Sequence, residues 1–238
     1  MIEYFKKTYY NIWIDAFLRA PEECCGIILN DEYHPCANVA EDKINNFRIS
    51  SKQMVKAYKS GALKAVVHSH VDYPHLSADD IQKQRKMNIP WGVALINNNY
   101  KEGIHFWGCR IAQTLTERPF IHGLYVCYSL VSDYFKQHFR MDLPFAERDI
   151  DWEKKGNNLF EKKFIGSGFA EVKNKELVVG DIILFKFKSK EWNHCAVYIG
   201  KETMLHHLYK RFSASTSIYP WINKADAVVR YQGELVKC

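Results

Sequence analysis

Two groups of residues in this 238-residue chain have the types and spacing for hydrolytic chemistry. The first lies in the stretch HSHVDYPHLSADD, residues 68–80. His68 and His70 stand two apart at the end of the apolar run Ala65-Val66-Val67. On a strand, residues i and i+2 face the same side, and two imidazoles on one face can hold one divalent metal. Asp80 follows ten residues after His70, behind Ser77, at the start of a predicted helix. Two histidines and one carboxylate leave a fourth position open, as a catalytic zinc requires and a structural zinc does not. The residues alone also leave a plainer reading open. Ser77-Ala78-Asp79-Asp80 is a capping box in its own right, and two histidines at a strand end need no metal.

The second group begins in HGLYVCYSLVSDYF, residues 122–135. Counting from Cys127, apolar residues recur at Leu130, Val131, Tyr134 and Phe135, the spacing of one helix face, and Gly123 marks the break before it. Cys127 is thus predicted in the first turn, where the helix dipole favours the nucleophilic thiolate. A lone Cys on such a face is most simply a small packing residue. Two downstream histidines weigh against that: His194 at the entrance of the apolar run Cys195–Gly200, and His206 in Thr203–Leu208, with His207 beside it. A helix carrying Cys followed by strands carrying His is how a Cys–His pair is assembled from distant sequence. Cys195 reads as a packing residue on its strand.

With Glu23 in PEECCGIIL upstream, the pattern E-x-C-G, H-S-H, S-x-x-D resembles the JAMM (MPN) metallopeptidases. That resemblance implies a Zn2+ held by His68, His70 and Asp80, with Glu23 as general acid/base and Ser77 helping to stabilise an oxyanion. Val71 stands where the family has Pro, and the gap to Ser77 is six residues where seven is common. In the second half, C-Y-S-L, G-D-I-I-L-F, N-H-C-A-V-Y-I-G and L-H-H resemble the NlpC-type cysteine peptidases, a papain-like fold whose members cleave peptidoglycan peptides. Cys127 then becomes the nucleophile, His194 its base and His206 the residue that orients His194, with His207 as runner-up. Val126 replaces the family's Asp before the nucleophile.

The two halves in this order, with L-T-E-R-P-F-I-H-G between them, resemble the tail tip assembly protein K family of lambda-like phages. The resemblance implies peptidoglycan stem peptides and other tail tip proteins as partners. It also implies synthesis in the host cytoplasm and a place in the tail tip or an assembly intermediate. Retention of both domains as inactive binding modules is the competing reading, favoured by Val71 and Val126. A deubiquitinase-like regulator would share the JAMM chemistry but leaves the second half unexplained.

The elements that must position these residues give an α/β (α+β) fold. The expected order is an N-terminal amphipathic helix (with Ile12, Ala16 and Leu18 among its apolar residues), two strands, a helix over 51–59, a strand over 63–68 and a helix over 77–87. A strand over 91–96, a turn at Asn97-Asn98-Asn99 and a strand over 103–111 follow. Residues 1–112 read as a JAMM/MPN-type mixed sheet with helices, 113–120 as a short polar linker, and 121–238 as the papain-like α+β domain. Residues 151–175 read as loop. The net charge of +6 is mild and spread out, and the pairs Lys154-Lys155 and Lys162-Lys163 read as solvated charge rather than a nucleic-acid site. No apolar run approaches a membrane span, and no export leader is recognised. Seven cysteines at irregular spacing argue against a disulfide framework and for a reducing site of synthesis.

Overall fold

A computed structural model describes residues 4–73, 75–109, 111, 114–146, 158–173 and 176–236. The chain divides into two units, 2–113 and 114–238. Lys154 and Lys155, residue 112 at the end of the first expected domain, residue 113 at the start of the expected linker, Arg110 and Cys238 lie outside the described residues.

The first unit is built on a five-stranded mixed sheet in the order β2-β1-β3-β4-β5, from β1 (Cys25–Leu29), β2 (Glu32–Cys36), β3 (Leu63–Val71), β4 (Trp91–Asn97) and β5 (Tyr100–Trp107). Helix α2 (Ser51–Lys59) precedes β3; only β3 and β4 are parallel, and α3 (Ala78–Met87) makes the crossover between them. The central strands are buried on both faces, as parallel pairing under helices demands. Asn30 and Asp31 between β1 and β2, and Asn98 and Asn99 between β4 and β5, take positive φ. Two consecutive left-handed residues make the tight turn that matches strand twist. One face of the sheet meets α1 (Tyr9–Arg19) through Ile12, Ala16, Ile28, Val67, Ala94 and Phe106. Leu18, expected on that apolar face, is instead 79% exposed, because the buried stripe runs through Ile12, Asp15 and Ala16. β3 also runs three residues past its expected end, so His70 lies on the strand rather than after it.

The second unit carries a six-stranded antiparallel sheet in the order β10-β9-β8-β7-β11-β6. Its strands are β6 (Phe169–Glu171), β7 (Ile182–Phe185), β8 (His194–Gly200), β9 (Thr203–His206), β10 (Ala214–Ser217) and β11 (Ala227–Tyr231). Helix α4 (Cys127–Phe139) lays Leu130, Val131, Tyr134 and Phe135 on one face against Ile182, Leu184, Val197, Leu205 and Val229. A separate cluster of Ile183, Phe185, Ala196 and Met204 covers the other face, closed by Phe187 and by Trp221 of the short helix α6 (Tyr219–Ile222).

One expectation fails here. The stretch 151–175 is not all loop: α5 (Leu159–Ile165) and β6 stand within it. Phe160 and Phe164, one turn apart, are fully buried in the α4 core. Burying each contributes roughly 1.5–3 kcal/mol, which outweighs the helix-breaking composition around them. From Thr114 onward, the segment read as linker is tied down. The Glu117 N–H donates to Ser213 O, and Arg118 is 1% exposed.

Candidate active sites

In the first unit β3 presents both imidazoles. Pairing with β1 sets Cys25 opposite His68, and pairing with β4 sets Val93 opposite His68 and Leu95 opposite His70. The two Nε2 atoms lie 3.2 Å apart. Antiparallel pairing brings in Glu23, just before β1, whose Oε1 is 3.4 Å from His70 Nε2. Its backbone is pinned beside β3, since Ser69 Oγ accepts the Cys24 N–H at 2.8 Å and Asn38 Nδ2 donates to the Glu23 carbonyl at 3.1 Å. Asp80, in the first turn of α3, sets one oxygen 3.5 Å from His68 Nε2 and the other 3.5 Å from His70 Nε2. The donor atoms of His68, His70 and Asp80 all fall within 4.8 Å of one another, and all three residues are buried.

The capping box and the metal-type cluster turn out to share a carboxylate. Ser77 Oγ accepts the Asp80 N–H at 3.1 Å, while the Ser77 N–H and Oγ–H donate to Asp80 Oδ2 at 3.0 and 2.7 Å. The cap therefore aims the carboxylate at the histidines, and the Ser77 hydroxyl proton is committed to it. His70 Nδ1 bonds the His75 carbonyl. A carbonyl only accepts, so Nδ1 carries the proton and the lone pair of the neutral ring sits on Nε2, facing the cluster.

Burial and charge act against each other here. Burial pushes the Glu23 carboxyl up to about 8, with His70 pulling it down and Asp80 pushing it up. Asp80 is buried too, but the two imidazoles outweigh that and hold it below the usual carboxylate range. Burial lowers His68, which Phe47 covers face-on at 4.4 Å and Trp91 and Trp107 meet edge-on. Burial also pulls His70 down, but Asp80, Glu23 and the His75 carbonyl outweigh it and raise it. This aromatic wall and the His75 carbonyl lie outside the sequence expectation. Neither carries a spacing signal, since both are set by which strands pair.

In the second unit Cys127 is the first residue of α4, and no side chain caps that helix. Val126 has no acceptor to offer; its N–H donates to Ser129 Oγ at 2.9 Å. The positive end of the helix is thus left at the thiol. Cys195 and Val197 face the α4 core, whereas Ala196 belongs to the opposite face. His194 keeps step with Ala196 and lies against Phe187 and Phe185, at ring separations of 5.4 and 5.6 Å. His206 keeps step with Met204, 6.0 Å from His194 and 5.1 Å from Trp221. His206 Nε2 bonds Thr216 Oγ1 of β10 at 3.1 Å, while His206 Nδ1 and His194 Nε2 are buried without a hydrogen-bond partner among the described residues. His207 Nε2 donates to the Arg211 carbonyl at 3.1 Å. Burial brings His206 and His207 down to about 4, and a charge on Cys127 acts on both in the opposite sense. Cys127 thus lies within electrostatic reach of His206 and His207, and His194 lies next to His206. Thr216, which no motif marked, bonds His206, and Arg118, which the linking motif held without a role, acts on His207.

The NlpC/P60 family model matches residues 117–230. Tail tip assembly protein K of Escherichia phage N15 is 27% identical over 236 residues, covering 95% of this chain and 95% of that protein. Tail tip assembly protein K of Escherichia phage lambda is 31% identical over 167 residues, covering 69% of this chain and 79% of that protein.

Proposed function

This chain belongs to the tail tip assembly protein K family, and from that premise we propose that it is a two-site hydrolase of a phage tail tip. The second unit acts as a cysteine endopeptidase on peptidoglycan stem peptides, and the first as a JAMM-type zinc metallopeptidase. The observation that carries the reading is Cys127 at the uncapped start of α4, within electrostatic reach of a buried histidine cluster, inside the segment matched by the NlpC/P60 family.

The chemistry follows from the groups present. Cys127 Sγ attacks a peptide carbonyl carbon, forming a thioester as the C–N bond breaks. His194 Nε2, free of other hydrogen bonds among the described residues, takes the thiol proton and returns it to the leaving amine. His206, held by Thr216, fixes the position of the His194 ring. Developing negative charge on the carbonyl oxygen meets the positive end of α4.

In the first unit His68, His70 and Asp80 are the residues that would hold a divalent ion. Two imidazole nitrogens and a carboxylate within 4.8 Å, with the His70 tautomer fixed from behind, are a donor set suited to zinc. Such an ion supplies Lewis acidity when bound. Glu23, with a carboxyl titrating near neutrality, takes up and releases a proton at Oε1, and Ser77 holds Asp80 in place.

The test is incubation of the purified protein with muropeptides, read by mass spectrometry. Cleavage is expected with the wild type and none with Cys127→Ala. The competing reading of a purely structural tail-tip module, favoured by Val71 and Val126, predicts that both preparations leave the muropeptides intact.

A further inference from the structure

The most costly group in the second unit to leave unexplained is Arg118. It is 1% exposed, yet it lies in a segment whose sequence reads as a connector. Its Nη1 donates to Asp133 Oδ2 on α4 at 2.5 Å, and its Nε donates to the Thr114 carbonyl. The guanidinium stands over the Tyr125 ring at 5.8 Å, two residues before Cys127. Its backbone is locked to the segment after β9: the Arg118 N–H donates to Ser213 Oγ at 2.9 Å and the Ser213 N–H to Arg118 O at 3.0 Å. Nη2 is buried without a hydrogen-bond partner among the described residues. A charge taken out of water at this cost is weak evidence of stabilisation, since well-packed apolar residues often serve as well.

We propose that Arg118 is the positioning residue of the cysteine site. It ties the segment entering the second unit to helix α4 and to the chain after β9, and it keeps a fixed positive charge in the field shared by Cys127 and His207. The inference rests on the reading of Cys127 as a nucleophile. The charge already registers on His207. Burial is the main cause of that ring's low value, and Arg118 adds to it in the same direction. A thiolate on Cys127 gains from the same charge, because opposite charges favour ionisation. Among the described residues, the other titratable groups near Cys127 or Arg118 are His206 and His207 at the end of β9, His194 and Cys195 of β8, Tyr125 before α4, and Tyr128 and Asp133 of α4 itself. Asp133 is the only carboxylate among them, and its side chain is 37% exposed.

The two halves of the ion pair must therefore act in opposite directions. The rate of Cys127 alkylation by iodoacetamide, mapped by peptide, is followed against pH in the full chain. Arg118→Met is expected to raise the midpoint by about one pH unit, and Arg118→Lys to restore it towards the wild type. Asp133→Asn is expected to lower it, because the buried charge loses its counter-ion. If the two sites move the midpoint in the same direction, or neither moves it, Arg118 is only structural and the proposal is overturned. Should Arg118→Met fail to fold, Asp133→Asn decides alone: a downward shift supports the proposal, and an unchanged or raised midpoint overturns it. If wild-type Cys127 alkylates no faster than the buried Cys195, the nucleophile reading itself fails and this inference goes with it.

Discussion

The two units solve the same problem, placing reactive side chains in a protein interior, in opposite electrostatic ways. In the first, two carboxylates and two imidazoles are buried together. Asp80 is held ionised by the histidines, and His70 is raised by Asp80 and Glu23. In the second, no carboxylate stands among the histidines within the described residues. His206 and His207 are kept neutral by burial, and the permanent charge nearby is the positive one of Arg118. A cluster of acceptors around one point suits a cation, whereas neutral imidazoles beside a positive helix end suit a thiolate.

The largest expected effect breaks the first cluster without touching the second. His68→Ala and His70→Ala each should cost at least ~100-fold in zinc affinity, more than is usual for losing an outer-shell partner. Cys127→Ala should leave zinc content unchanged. Elemental analysis of the three variants after dialysis checks this, and equal zinc in His68→Ala and wild type would remove the site assignment.

Next in size is a test of whether each unit owns its core. Phe164 is fully buried against Tyr128 and Phe169. Phe164→Ala should cost about 3–5 kcal/mol in urea unfolding of residues 114–238, and in the full chain it should leave the unfolding midpoint of the first unit unchanged. A lowered midpoint of the first unit in the Phe164→Ala full chain, or insolubility of both wild-type fragments, would mean that the division is wrong.

The smallest effects, no more than about 1.4 kcal/mol per pH unit for each group, separate the clusters by sign. Glu23 is raised from 4.5 to about 8, so the folded first unit binds a proton that the unfolded chain has released. After chelation of metal its stability should fall as pH rises, and above about 6.5 the raised His70 adds to that slope. Glu23→Gln should flatten it. His206 and His207 are lowered from 6.5 to about 4, so there the unfolded chain binds more protons. The second unit should be fully stable above about 6.5 and lose stability as pH falls towards 4. Urea midpoints of the two fragments across pH 4–8 check both signs. Parallel slopes would mean that the contrast between the clusters is not real.

Much of this was legible in residue spacing. The H-x-H pair announced one strand face, S-x-x-D announced a cap, and the i+3, i+4 pattern after Cys127 announced a helix starting on the thiol. Those features obey local sterics: a strand repeats every two residues and a helix every 3.6, whatever surrounds them. The turns at Asn98-Asn99 and the helix over 51–59 were readable for the same reason. The stretch holding α5 was not, because Lys, Glu, Gly and Asn dominate its sequence, and only the burial of Phe160 and Phe164 in a core built elsewhere makes it a helix.

By itself, then, the sequence determined which residues could react and which element each would occupy. Only the tertiary structure decided which of them meet. Glu23 reaches His70 because β1 pairs antiparallel with β3, across a separation of more than forty residues. The Ser77 cap and the metal-type carboxylate prove to be one device because the crossover after β3 returns α3 over the histidines. Arg118 is buried beside α4 because Ser213, Asp133 and Tyr125 close around it. Spacing along the chain cannot carry such facts. Pairing between strands and the cost of burying a charge depend on what lies alongside in space, and that is fixed only when the whole core forms.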